Sequence, residues 1–269
     1  MENLKELAYR YDLFIAPDWR DRFDTLVDES IKLPVEGRIL DVNCGTGAHA
    51  IEAAERMHGK GEVVGVDPSA ECIAIARAKA LVKKVKGLQF EQGIASDLPF
   101  ESHTFDIVIG DVSMMRADEI DQVLAEMVRV ARPEGRVILK LTTHGSLDEF
   151  FSIYWEALHE MGLDDEVWAS LEGLINERPT ISDVELVAQR AGLSNVESFV
   201  SREEFSYDTA DRFFESPLIA DYFLSDWLEI VPSESREKVR RRIAAIIERE
   251  RNEAPFEISI KATVITGTK

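Results

Sequence analysis

The chain has 269 residues, 45% hydrophobic and 30% charged, enough to bury a sizeable core in one elaborated domain. Its formal net charge of −20 repels phosphate backbones and anionic bilayers on average, which excludes nucleic acid as a favoured partner. Cys44 and Cys72 have no metal-ligand spacing, the start carries no apolar leader, and no long apolar run occurs; a cytoplasmic protein without metal or membrane insertion is expected.

Residues 2–32 predict two amphipathic helices broken near Pro17, with Leu4, Leu7, Tyr11 and Phe14 on one stripe and Phe23, Leu26, Val27 and Ile31 on the next. Asp12 or Asp18 is a candidate cap for the second helix, and Pro34 stops it. Short β-rich runs follow at 39–42, 62–66, 88–91, 106–110 and 137–141, separated by helical patterns opening at Ala48 and Ser69 and spanning 117–131. This alternation predicts an α/β fold: a Rossmann-like, doubly wound, mostly parallel sheet with its ligand at the carboxyl ends of the strands. Beyond 141 come helical stretches at 147–161 and 165–176, a helix at 182–191, a strand at 196–200, a helical block at 209–252 and a last strand at 255–266.

The chain is organised around residues 38–50, a strand ending in Asp41, a turn with Gly45 and Gly47, and a helix opening at Ala48. Such a turn can take positive φ and lets a ligand approach the backbone, while the helix start favours anionic groups. Gly45-x-Gly47-x-x-Ala50 with Asp67 satisfies the dinucleotide pattern literally. Asp41, however, would oppose a pyrophosphate and suit a cationic ligand.

The run Asp41-Val-Asn43-Cys44-Gly45-Thr-Gly47 resembles the nucleotide loop of the class I S-adenosylmethionine (SAM)-dependent methyltransferases, with Asn43 replacing the usual first glycine. Gln92-Gly-Ile94-Ala95-Ser-Asp-Leu-Pro-Phe100 followed by Phe105-Asp resembles a second motif of that family, with Ile94 replacing the aspartate that meets adenine. Tyr11-Asp-Leu and Pro17-Asp-Trp19-Arg-Asp-Arg-Phe23 resemble the segment lying over bound SAM in the small-molecule methyltransferases of quinone-biosynthesis type. The resemblance implies a seven-stranded sheet whose last strand is antiparallel, with N-terminal helices and helical insertions. Its divisions would be a helical lid (1–34), a SAM-binding core (35–145), a helical insertion (146–181), a core helix and strand (182–206), a second insertion (207–253) and the final strand (254–269).

It further implies a cofactor site of Asp41, Asn43, Cys44, Gly45, Gly47, Asp67, Pro68, Ile94, Ala95, Gly110 and Asp111, releasing S-adenosylhomocysteine (SAH). Asp67 ends the second strand and can accept both ribose hydroxyls; Ser69 is free to cap the next helix. Tyr11, Trp19, Met115 and Tyr154 are expected to line the lid or the acceptor. Relatives often place a histidine after the fourth strand, but Met114-Met115-Arg116 stands here, leaving His144 as the candidate base. The aromatic residues at 150–155 and 213–227 fit either a roof over an apolar acceptor or the core of the helical blocks. The expected activity is in-line methyl transfer to a small, partly apolar molecule, with a homodimer as an open assembly. The rivals are a nicotinamide-dependent oxidoreductase and a non-catalytic methyltransferase-like scaffold.

Overall fold

The computed structural model describes residues 3–269. The chain begins with α1 (Leu4–Arg10), continues through a π-helical segment (Tyr11–Arg20) and passes directly into α2 (Asp21–Ser30). The break expected at Pro17 is therefore absent: Asp21 donates its amide to Ala16 O, and the wide turn carries the proline within a continuous helical path. Neither expected cap is used, because α2 has no free start: Asp12 pairs with Lys79 instead, and Asp18 with Arg22.

From there the order is β1 (Gly37–Val42), α3 (Ala48–Met57), β2 (Gly61–Asp67), α4 (Ala70–Lys83), β3 (Leu88–Gln92), β4 (Phe105–Asp111), α5 (Ala117–Val130) and β5 (Ala131–Thr142). Then come α6 (Asp148–Glu160), α7 (Asp164–Ile175), α8 (Ile181–Arg190), β6 (Ser194–Tyr207), α9 (Ala210–Glu215), a π turn (Ile219–Phe223), α10 (Leu224–Glu229), α11 (Arg236–Arg251) and β7 (Phe256–Thr268). The seven strands form one sheet in the order β3-β2-β1-β4-β5-β7-β6. Pairing is parallel from β3 to β5, and β7 runs antiparallel to β5. This is the doubly wound sheet that the alternation predicts, with the antiparallel last strand that the family resemblance implies.

The sheet's two faces are both covered, as a parallel sheet requires. On one, Ile39, Ile107, Ile109 and Ile138 pack with Val27, Ile51, Ala54 and Met57. On the other, Leu40, Val42, Val108 and Leu139 pack with Ile120, Leu124, Met127 and Val184. Period-2 alternation therefore puts Asp41, Asp111 and Lys140 on the first face, each two residues beyond an isoleucine at a strand's carboxyl end.

Contacts divide the chain into two compact units, residues 1–142, 180–201 and 262–269 in one and residues 143–179 and 202–261 in the other. The single domain expected from length is thus two units, and the two helical segments read as separate insertions share the second. Inside it Phe150 stacks on Trp227 at 4.2 Å and lies 5.5 Å from Phe213. Among the described residues no helix is long and apolar enough to cross a membrane.

Candidate functional site

The turn after β1 keeps the left-handed geometry its sequence requires, with φ of +55° at Asn43, +55° at Gly45 and +78° at Gly47. Asparagine reaches this region at lower cost than most residues. Here Asn43 is also fastened, since its Nδ2 donates to Asp111 O at 2.9 Å and lies 3.2 Å from Met115 Sδ. Met115 thus steadies the turn. Cys44 is buried and donates its amide to Val66 O; burial pushes its thiol well up, keeping it neutral.

The two glycines have different reasons for lacking a Cβ. One built on Gly45 would meet Tyr11 Oη at 2.7 Å, so the phenol from the N-terminal segment rests on the turn. One built on Gly47 would meet Phe90 Cζ at 2.5 Å and Ala76 Cβ at 2.9 Å, so Gly47 serves the packing of α3, α4 and β3. Gly110 is also a packing glycine, because its Cβ would strike Met127 Sδ at 2.5 Å. Gly47 and Gly110, expected to face a ligand, are accounted for by core packing.

Asp67 closes β2, 8% exposed, with Oδ2 accepting from Gly45 N at 2.8 Å and Oδ1 from Ser69 N at 2.9 Å. Burial raises its pKa, and those two amides oppose the rise. Ser69 caps α4 through Cys72 N, as expected. Beside Asp67, Pro68 is exposed and Gly93 donates to Asp67 O. Next to Gly93, Ile94 stands 53% exposed while Ala95 is buried in the core.

At the head of the turn lies a buried ionic cluster. Asp41 is 1% exposed, and neither of its carboxylate oxygens accepts a hydrogen bond. Arg20, 3% exposed, puts Nη1 2.5 Å from Asn43 O and 3.6 Å from Asp111 Oδ2, and Nη2 3.5 Å from Asp41 Oδ1. Its Nε and Nη2 have no hydrogen-bond partner. Lys140, fully buried, donates to Asp24 Oδ1 at 2.5 Å and lies 3.6 Å from Asp111 Oδ2. Burial would raise Asp24, but Lys140, His49 and Arg20 outweigh it and hold its carboxyl at about 2. His49 fits between Asp24 at 3.4 Å and Asp28 at 3.6 Å, which gives it a structural place behind the turn. Trp19 donates to Ser113 Oγ at 2.9 Å, and Ser113 N donates to Asp111 Oδ1 at 3.0 Å, tying the N-terminal segment to the end of β4.

The structure thus brings together Asp41, Asn43, Gly45, Asp67, Asp111, Tyr11, Trp19 and Met115 within the first unit. It also adds Arg20, Asp24 and Lys140, which motif reading missed. Lys140 left a signal, a lysine interrupting the apolar run Val137-Ile-Leu-Lys140-Leu, which burial on both faces obliges to find a carboxylate. Tyr154 is a correction: it is fully buried in the second unit, its hydroxyl donates to Trp227 O at 2.6 Å, and burial pushes its phenol well up. It is a core residue of that unit. His144 belongs to the second unit too, exposed, with its amide donating to Pro179 O.

The profile of the family described as Methyltransferase domain matches residues 35–196. A demethylmenaquinone methyltransferase of Lactococcus lactis is 36% identical over 121 residues, 44% of this chain and 48% of that protein. The enzyme of that description from Bacillus licheniformis is 28% identical over 189 residues, 66% of this chain and 78% of that protein. The chain spans about half the length of the curated relatives it matches first, 48% and 49%. Among solved structures, the YcgJ protein of Bacillus subtilis superposes with a TM-score of 0.59 at 20% identity, covering 93% of this chain and 98% of that one. Phosphoethanolamine N-methyltransferase 2 of Haemonchus contortus, in complex with phosphomonomethylethanolamine and SAH, gives 0.58 at 16% identity over 100% of this chain and 61% of that one. At such identities the likeness is one of fold.

Proposed function

The chain belongs to the methyltransferase-domain family, and from that premise we propose that it transfers a methyl group from SAM to a small, partly apolar molecule. One observation carries the reading: Asp41 is a fully buried carboxylate that accepts no hydrogen bond, at the head of a glycine turn. Such a group is costly unless a donor completes it. A pyrophosphate would add negative charge beside Asp41 and Asp111, which disfavours the nicotinamide rival; an ammonium would supply the missing donors.

The other residues suit the same ligand. Asp67 retains lone pairs for ribose hydroxyls. Pro68 and Ile94 offer exposed apolar surface to adenine, and Tyr11 covers the turn. SAM supplies, when bound, a methyl group already activated by its sulfonium. What remains for the chain is alignment and exclusion of water, tasks suited to Tyr11 and Trp19 on the N-terminal segment.

Calorimetry with SAM should show binding that NAD(H) does not, and Asp67→Ala should weaken it about tenfold or more, a hydrogen-bonded carboxylate being worth roughly 1.5–3 kcal/mol. Heat with NAD(H) and none with SAM would reverse the assignment. Demethylmenaquinone, from the relatives' name, is the first acceptor to assay.

A further inference from the structure

One stretch of the surface reverses the charge of the chain. Between Glu71 and Glu91 there is no acid, while Arg77, Lys79, Lys83, Lys84 and Lys86 add five cations to a protein whose net charge is −20. They lie on the second half of α4 and the turn behind it. The helix ends there because Lys84 takes a φ of +55° and Val85 returns its amide to Ala80 O at 3.2 Å. Its last turn projects: Leu81 and Val82 are each 80% exposed, and among the described residues no other large apolar side chain reaches that exposure.

Part of this charge is answered locally and part is not. Lys79 pairs with Asp12, Lys83 pairs with Glu55, and Arg77 donates to Phe90 O. Lys84 and Lys86 are exposed and, among the described residues, have no acidic partner. Lys60, also exposed, comes beside them, since a Cβ on its neighbour Gly59 would stand 3.6 Å from Lys86 Cβ. The acids of the adjoining elements are engaged elsewhere: Asp28 and Glu52 hold Arg56, and Glu62 holds Arg38. Glu91 lines the groove between α4 and β3, where Val85 and Leu88 continue the apolar surface behind the tip.

Bare aliphatic groups next to unpaired ammoniums match a surface that is anionic outside and apolar beneath, as at a bilayer with acidic headgroups. The average repulsion from the rest of the chain is screened beyond a Debye length of roughly 8 Å, so a projecting tip meets the headgroups first. The tip also stands at the far end of α4 from Asp67, roughly 20 Å away for a helix of 14 residues. A bilayer held there leaves the turn after β1 unobstructed. We propose that the turn from α4 to β3, through Leu81, Val82, Lys84 and Lys86, is a peripheral docking site for a membrane surface bearing anionic lipid.

Vesicle cosedimentation of the whole chain tests this, with phosphatidylcholine alone and with equal parts phosphatidylcholine and phosphatidylglycerol. The mixed vesicles should take up the wild-type chain about tenfold or more better than the neutral ones, and high salt should remove the difference. Lys84→Glu combined with Lys86→Glu should cut that uptake about tenfold or more, whereas Lys84→Arg with Lys86→Arg should retain it. Leu81→Ser with Val82→Ser should also lower it, at unchanged charge. An unaltered thermal unfolding midpoint in each variant separates lost docking from lost fold. No uptake of the wild-type chain by the mixed vesicles, equal uptake by both kinds, or uptake indifferent to these variants overturns the proposal. So does self-association, seen by light scattering in place of vesicle binding and abolished by the same variants, which assigns the tip to a second copy of this chain.

Discussion

Asn43 stands where the resemblance places a glycine, and its surroundings explain how the exchange is tolerated. Its φ is +55°, a region that costs an alanine roughly 1 kcal/mol, and its amide reaches across to Asp111 O. Asn43→Gly should therefore be nearly neutral for stability, exchanging one hydrogen bond for relief of strain. Asn43→Ala loses the bond and keeps the strain, so it should cost about 2 kcal/mol, read as a lower urea midpoint at unchanged slope. Equal midpoints for the two variants would mean that the left-handed geometry carries no cost here. The residue scale is also where motif reading fell short. Asp41 and Asp67 are visible in sequence because each ends a strand beside a turn. Arg20 is not, because only the helical path through the π segment sets its guanidinium over a turn more than twenty residues on.

A mostly parallel, doubly wound sheet was legible from periodicity, since strands buried on both faces leave near-continuous apolar runs, whereas the antiparallel return was legible only through the family resemblance. The strand ends were not. β5 begins at Ala131, where a register shift against β4 lets it start before the apolar run Val137–Leu141, and β6 extends to Tyr207 although its alternate residues are polar. The Pro17 expectation failed because proline's missing amide stops an α-turn, whereas a π-turn spaces its carbonyls differently. The junction of α3, α4 and β3 allows a test at this scale. Gly47→Ala would drive a methyl into Phe90 and Ala76 at a φ of +78°, so overpacking and strain add, and a loss of about 2–4 kcal/mol is expected. Pairing it with Phe90→Ala should recover part of that loss relative to Phe90→Ala alone, measured by thermal unfolding. A glycine kept for ligand approach would give the opposite pattern, intact stability with lost SAM binding.

Across the whole molecule, a net charge of −20 and the buried ionic cluster around Asp24 respond differently to acid. Lowering the pH from 7 to about 4 begins to neutralise surface carboxylates and relieves self-repulsion, which favours the compact state. Asp24 responds later. Its carboxyl is held at about 2 against an ordinary 3.8, and Asp28 is lowered too, by His49 and Arg56 acting against its partial burial. A folded value below the unfolded one contributes stability that is full above about 4 and is lost as pH falls through about 2. For Asp24 this amounts to roughly 2 kcal/mol, since each pKa unit is worth about 1.4 kcal/mol. Asp24→Asn isolates the contribution, because the variant keeps the surface charges and removes this carboxylate. Urea midpoints of the two proteins should differ most between pH 4 and 7 and converge as pH approaches 2. A gap that stays constant to pH 2 would show that Lys140, His49 and Arg20 do not hold Asp24 ionised.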